Sequence, residues 1–358
     1  MRIAILHDYF DSIGGGEKVV LGLAQHLNAD IFTYDFNEAK TYKEIKKFRV
    51  ETAKNPVNRY GVKQFFATKH FENLNLQKNY DLFLMYGFIS IHAAKLNHPN
   101  IWVAGAALKH LFLPEFVRLE PFYKRLIINL SNGWVKQKNI ETIKNHIDKI
   151  IAVSDYQRKE IKKIYKRDSE VVYPPVETRK FYYKESEGYY LTVSRLEANK
   201  RVDLMINAFK SLPDQRLVIV GDGSQRKYLE NLARGCKNIE FKGAIYGKEL
   251  LELYARCTAF IFTSLFEDFG IVPLEAMAAG KPVISVNEGG PKETVIPNKT
   301  GLLIKPDVNS LIKSIEYLDI DRAKKMKSNC IKWARKFDEK IYFKKIEDVV
   351  SHTLNTSR

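Results

Sequence analysis

Glu267-Asp268-Phe269-Gly270-Ile271-Val272-Pro273-Leu274-Glu275-Ala276-Met277-Ala278-Ala279-Gly280-Lys281-Pro282-Val283 carries two acids, Glu267 and Glu275, eight positions apart. An apolar stretch, Ala259 to Thr263, precedes it and reads as a strand; a short helix follows. The acids therefore fall at a strand-to-helix turn. Such a turn is a natural phosphate-binding place in an α/β protein, because the first N–H groups of the helix have no partner within it. Carboxylates beside it accept hydrogen bonds from sugar hydroxyls. The pairing points to a sugar nucleotide.

Outward from this stretch the chain alternates strand-like and helix-like segments. Strands are predicted at Tyr190–Ser194, Leu217–Val220, Ile239–Phe241, Ala259–Thr263 and Val283–Ser285, with helices between them at 201–212 and 224–234. The first half repeats the pattern. Arg2–Leu6, Leu82–Met85, Ile101–Ala104, Lys149–Val153 and Glu170–Tyr173 read as strands, and Glu17–Leu27 and 155–166 as helices. Repeated βα units imply two parallel sheets covered by helices, with ligands at the carboxyl edges of their strands. The Pro174-Pro175 pair interrupts both helix and sheet, so 174–188 is the expected linker between a domain at 1–173 and a second at 189–337.

The 358 residues suit two domains, and 45% hydrophobic content suffices for two cores. A net charge of +16 fits a lysine-rich surface, an anionic membrane face or a phosphorylated acceptor. No zinc-ligand spacing or RNA-recognition pattern accompanies it, so nucleic acid is not an expected partner. Cys236, Cys257 and Cys330 form no paired framework and read as free thiols in a reducing cytosol. The longest apolar run, Leu82 to Ile91, falls far short of the ~20 residues of a spanning helix. A cytoplasmic protein, soluble or peripheral at the inner face of the membrane, is expected.

Arg195 and Lys200 follow the strand Tyr190–Ser194 and so emerge at a carboxyl edge, where cations stabilise charge on a departing phosphate. A surface ion pair with Glu197 is the alternative use of Arg195. Gly270, Ile271 and Val272 open the helix bearing Glu275, and their N–H groups are expected to face a phosphate or the sugar. Glu275 suits both ribose hydroxyls, or else compensates the helix dipole. Glu267 suits the transferred sugar, or else caps the helix. Asp268-Phe269-Gly270 spells a kinase triplet without its partners. Asp319-Ile320-Asp321 spells an acid-x-acid metal pattern, but away from any core strand; no metal is expected.

Several ordered motifs over Asp148 to Ile304 resemble the nucleotide-binding half of retaining glycosyltransferases of family four, which have the GT-B fold. They are Ile151-Ala152-Val153-Ser154, Val172-Tyr173-Pro174-Pro175-Val176, Ser194-Arg195-Leu196 with Lys200-Arg201-Val202-Asp203, Gly221-Asp222-Gly223, the two-glutamate stretch, Glu288-Gly289-Gly290 with Glu293, and Thr300-Gly301-Leu302. The resemblance implies two Rossmann-like doubly wound domains facing a cleft, with a C-terminal helix at 338–358 returning to the first. It implies that Arg195 and Lys200 bind the diphosphate, Glu275 the ribose and Glu267 the donor sugar. The loop near Ala244 and Ile245 would lie by the base. Gly14-Gly15-Gly16 resembles the glycine loop that approaches donor phosphates or acceptor, although an ordinary βα turn explains it equally.

Relatives in the family carry a histidine after the strand equivalent to Ile101–Ala104. Here that position is Gly105, with Ala107 and Lys109 where proline and arginine are common. That histidine helps position the donor sugar; His110 is a candidate substitute if the loop shifts. Segments 54–71 and 112–136 mix basic and aromatic residues, a composition suited to a membrane interface. The expected activity is retaining, metal-independent transfer of a hexose from a nucleotide diphosphate sugar to a glycan or lipid-linked glycan hydroxyl. GDP-mannose is the first expected donor and a UDP-hexose the next, with no other cofactor. A non-catalytic sugar-nucleotide-binding protein and a sugar-nucleotide 2-epimerase are the alternatives.

Overall fold

The computed structural model describes residues 1–11, 13–57, 62–105, 112–119 and 122–356, with side chains 116, 123, 124, 126, 127 and 129–132 outside that description. The chain divides into two compact units: Met1–Pro174 with Tyr342–Arg358, and Pro175–Ile341.

The first unit is built on a parallel sheet ordered β3-β2-β1-β4-β5-β6-β7. Its strands are β1 (Ile3–Phe10), β2 (Asp30–Phe36), β3 (Val50–Thr52), β4 (Leu82–Tyr86), β5 (Asn100–Val103), β6 (Lys149–Ala152) and β7 (Glu170–Val171). Alternation explains why it is covered on both faces. Ala4, Leu6, Phe83, Met85 and Trp102 enter one core, and Ile3, Ile5, Leu82, Leu84 and Ile101 the other. The helix Gly15–Leu27 buries Val19, Val20, Leu23 and Ala24 on the second face. The last helix, Glu339–Thr356, adds Tyr342, Ile346, Val349 and Val350 to that same core.

Two strands of this sheet were not expected. β2 lies inside the sheet, yet Asp30, Thr33 and Asp35 interrupt its apolar run. Thr33 is tolerated because its hydroxyl donates to Asp8 C=O at 3.2 Å. β3 is a three-residue edge strand, largely exposed, and carries no apolar pattern.

The second unit holds a parallel sheet ordered β10-β9-β8-β11-β12-β13. Its strands are β8 (Tyr189–Val193), β9 (Arg216–Val220), β10 (Ile239–Gly243), β11 (Phe260–Phe262), β12 (Val283–Val286) and β13 (Gly301–Ile304). The expected linker is held against this unit rather than left as free chain: Lys184 N–H donates to Ala255 C=O and Glu187 N–H to Arg256 C=O. Lys281, 2% exposed, is satisfied by Lys184 C=O at 2.8 Å and by the Tyr183 ring.

Both sheets reverse direction beside their first strand. In the first unit the chain leaves β1 toward β2 and returns to β4 on its other side; in the second it leaves β8 toward β9 and returns to β11. These reversals open crevices at the carboxyl ends of the strands, where ligands of doubly wound sheets bind.

Candidate functional site

The site in the second unit grows from the β8/β11 reversal. After β8 the chain makes a one-turn 3₁₀ helix, Ala198–Lys200. Thr263, just past β11, fastens that turn by donating its hydroxyl to Lys200 C=O at 2.9 Å and Arg201 C=O at 3.0 Å. Leu265 N–H donates to Asn199 C=O. The loops after β8 and β11 are thereby locked together, and Lys200 Nζ meets Glu267 Oε2 at 2.7 Å, with side chains 16% and 21% exposed. An ion pair so far withdrawn from water is held by geometry, since its desolvation opposes its attraction.

The acidic turn sits on glycines. Phe266 has φ 57° and Gly270 φ 87°, left-handed values that turn the chain sharply into the helix Ile271–Ala278. Gly290 donates its N–H to Glu267 C=O at 2.8 Å, and a Cβ there would lie 2.3 Å from Asp268 O. Gly221 plays the same part under the β8 loop, where a Cβ would lie 1.8 Å from Ser194 O. The Gly221-Asp222-Gly223 turn thus serves close packing of two loops.

Glu275 lies in the helix Ile271–Ala278, and the buried Tyr254 donates its hydroxyl to Glu275 Oε2 at 2.9 Å. Burial, then the neighbouring Glu275 charge, push the Tyr254 phenol well above its ordinary value, so it stays a donor. Tyr254 had no place in the expected site. It belongs to the helix Gly247–Arg256, far along the chain from Glu275, and its spacing there reads as core.

Arg195 is exposed on the loop after β8, and Glu197 does not pair with it: Glu197 accepts instead from Ser224 N–H at 3.1 Å and Ser224 Oγ at 2.5 Å. Glu267 pairs with Lys200, and Gly270 caps its helix without any side-chain bond. Ile245 is half-buried after β10, in the same unit. Arg195, Lys200, Ile245, Glu267, Gly270, Ile271, Val272 and Glu275 all follow carboxyl ends of the second sheet. Gly14, Gly15 and Gly16 follow β1 of the first. His110 lies outside the described residues. Asp319 caps the helix Ile320–Ala334, accepting from Arg322 N–H at 2.8 Å. Among the described residues no group of three or more His, Cys, Asp or Glu is arranged to hold a metal ion.

Residues 177–337 match the family Glycosyl transferases group 1. The chain carries a group 1 glycosyltransferase domain. A glycosyltransferase of Methanocaldococcus jannaschii, itself uncharacterized, is 29% identical over 88% of this chain and 87% of its own. A GDP-mannose-dependent alpha-mannosyltransferase of Mycobacterium tuberculosis is 42% identical over 31% of this chain and 29% of its own. Among solved structures, HepE of Anabaena in complex with UDP-glucose superposes with a TM-score of 0.78 at 19% identity, covering 98% of this chain and all of that one. WaaG, a glycosyltransferase involved in lipopolysaccharide biosynthesis, gives 0.76 at 17% identity over 97% of this chain and 99% of its own. The fold is GT-B, with two Rossmann-like parallel-sheet domains.

Proposed function

We propose that the glycosyltransferase uses a nucleotide diphosphate hexose as donor and retains the configuration of the sugar. The observation that carries this is the Lys200–Glu267 pair at the β8/β11 reversal, with Arg195 exposed on the same loop as Lys200. A diphosphate offers Lys200 a second anion, and Glu267 is then available to a sugar hydroxyl. Glu275, oriented by Tyr254, suits the ribose. In same-face transfer the acceptor oxygen bonds to the anomeric carbon as the bond to the phosphate oxygen breaks. The acceptor proton passes to that phosphate oxygen, and Arg195 and Lys200 stabilise its charge.

GDP-mannose is the proposed donor, supported by the likeness to a GDP-mannose-dependent alpha-mannosyltransferase over 31% of this chain; UDP-hexoses come next, since HepE binds UDP-glucose. A thermal-shift series over GDP- and UDP-sugars tests this, because a ligand bound only by the folded chain raises Tm. GDP-mannose is expected to give the largest shift, and a series without any shift overturns the reading. Gly105 at the family's histidine position favours one alternative, a sugar-nucleotide-binding protein without turnover; tight donor binding with neither transfer nor hydrolysis would establish it.

The acceptor is proposed to be a hydroxyl of a glycan or lipid-linked glycan, reached at an anionic membrane surface from the cytoplasmic side. Among the described residues no helix is long and apolar enough to cross a membrane. On the first unit, however, Phe65, Phe66 and Trp134 are exposed by 45%, 43% and 46%. The Phe65 and Trp134 rings lie 5.9 Å apart, and Lys138 Nζ stands 4.6 Å from the Trp134 ring centre. Exposed aromatic rings with a lysine beside them suit the headgroup layer. Cosedimentation should favour anionic over neutral vesicles; equal binding to both removes the electrostatic part.

A further inference from the structure

The outermost strand of a sheet offers its outward N–H and C=O groups to any extended chain, and charge on that strand discourages the pairing. Three of the four sheet edges in this protein are guarded in this way. β3 holds Glu51, β7 holds Glu170 bound to Lys149 at 2.9 Å, and β10 holds Glu240 bound to Lys242 at 2.6 Å. The fourth, β13, reads Gly301-Leu302-Leu303-Ile304 and contains no charged residue. Leu302 and Leu303 are only half-buried there.

β13 pairs with β12 on one side. Val283 N–H donates to Thr300 C=O and Asn287 N–H to Ile304 C=O, so the backbone groups of 300, 302 and 304 face β12 and those of 301 and 303 face away. Gly301 C=O accepts from Asn298 N–H at 2.8 Å, which leaves Leu303 as the outward residue of the strand. A hollow of about 320 Å³ opens beside it, with Pro297, Leu302, Leu303, Lys313 and Tyr317 in its wall. The Tyr317 ring is 48% exposed and lies under the Arg322 guanidinium, 4.7 Å from the ring centre. Among the described residues Lys313 is the one charged group of the wall, and it stands in no ion pair. Lys299 and Lys305 bracket the strand in the chain. Asp307, the next acid along, is engaged as a helix cap by Ser310 N–H and Ser310 Oγ, each at 2.8 Å.

We propose that β13 is a docking edge for an extended, acidic segment of a partner protein. The segment pairs its backbone with Leu303, places an apolar side chain in the hollow and sets a carboxylate against Lys313. Charge argues against a second copy of this chain as the occupant. Pairing β13 with itself about a two-fold axis would set Lys299, Lys305 and Lys313 against their own images, in a chain of net charge +16.

The test is fluorescence anisotropy of labelled, end-blocked heptapeptides with the full chain. One alternates valine with aspartate, one alternates valine with lysine, and one is the acidic peptide N-methylated along its backbone. The acidic peptide should bind at least about tenfold more tightly than the lysine one. N-methylation, which keeps the charge and removes the donors, should cost about tenfold or more. Leu303→Pro removes the outward N–H while sparing the bonds to β12, and should weaken the acidic peptide about tenfold. Lys313→Glu should weaken it roughly three- to tenfold. If Leu303→Pro fails to fold, the N-methylated peptide and Lys313→Glu decide the matter. The proposal is overturned if the N-methylated peptide binds as well as its parent, if Lys313→Glu keeps wild-type affinity, or if the acidic peptide does not bind at about 1 mM. A dimer in sedimentation that Leu303→Pro dissolves would assign the edge to a second copy and overturn it equally.

Discussion

Glu275 illustrates how a single side chain acquires its orientation. Its position in the helix Ile271–Ala278 follows from local sequence, but the direction of its carboxylate is set by the Tyr254 hydroxyl from another helix. Tyr254→Phe should remove one bond that orients that carboxylate. One hydrogen bond to a charged group contributes about 1.5–3 kcal/mol, of which donor binding draws a part. We expect donor affinity to fall roughly tenfold with the fold intact, measured by titration beside far-ultraviolet circular dichroism. Unchanged affinity would show that Glu275 does not need the Tyr254 bond. The place of Glu275 in a helix after a glycine turn was legible in the sequence; its bond to Tyr254 was not, because a tyrosine at helical spacing among apolar residues looks like core.

At the scale of elements, the site is two loops clamped by backbone bonds and close-approach glycines. Gly290→Ala would drive a Cβ to 2.3 Å from Asp268 O and 2.4 Å from Phe269 Cα, both backbone atoms that cannot rotate away. Overpacking of this kind should cost about 2–3 kcal/mol and displace the acidic turn, lowering both Tm and donor affinity. Gly133, in the helix Phe122–Asn145, has nothing within 4 Å of an added Cβ. Gly133→Ala should instead gain about 0.5–1 kcal/mol, since alanine favours helix. Opposite shifts in paired melts check the distinction; a loss at both positions would mean that close approach is not what sets glycine at 290. The pairing of β8 with β11, which brings Lys200 to Glu267, was hidden in the sequence, where the two residues lie in separate βα units.

At the scale of the molecule, the C-terminal helix belongs to the core of the first unit. Tyr342, Ile346, Val349 and Val350 are each at most 3% exposed. At about 1.5–3 kcal/mol for each buried side chain, the four contribute roughly 6–12 kcal/mol, comparable to the whole ~5–15 kcal/mol stability of a domain. A chain ending at Asp338 should therefore lose the calorimetric transition of the first unit while keeping that of the second. Two retained transitions would show the helix to be dispensable. Acid acts on the same unit through His92, which burial, with a smaller push from Lys138, takes down to about 4 from an ordinary 6.5. Below about 6.5 the unfolded chain takes up a proton that the folded chain refuses. Stability is thus full above that value and falls as pH drops toward 4, by about 3 kcal/mol. His92→Gln should flatten Tm between pH 4.5 and 6.5, and a wild-type slope in that variant would exclude His92 as the cause.

The sequence by itself determined the alternation of apolar strands and helices, the glycines of the tight turns, and the acids and cations that follow the strands, because each depends on neighbours within a few residues. Tertiary structure alone decided which loops meet. The order of strands in a parallel sheet is set by long-range packing on both faces, so Lys200 reaching Glu267 and Tyr254 orienting Glu275 were invisible to local pattern.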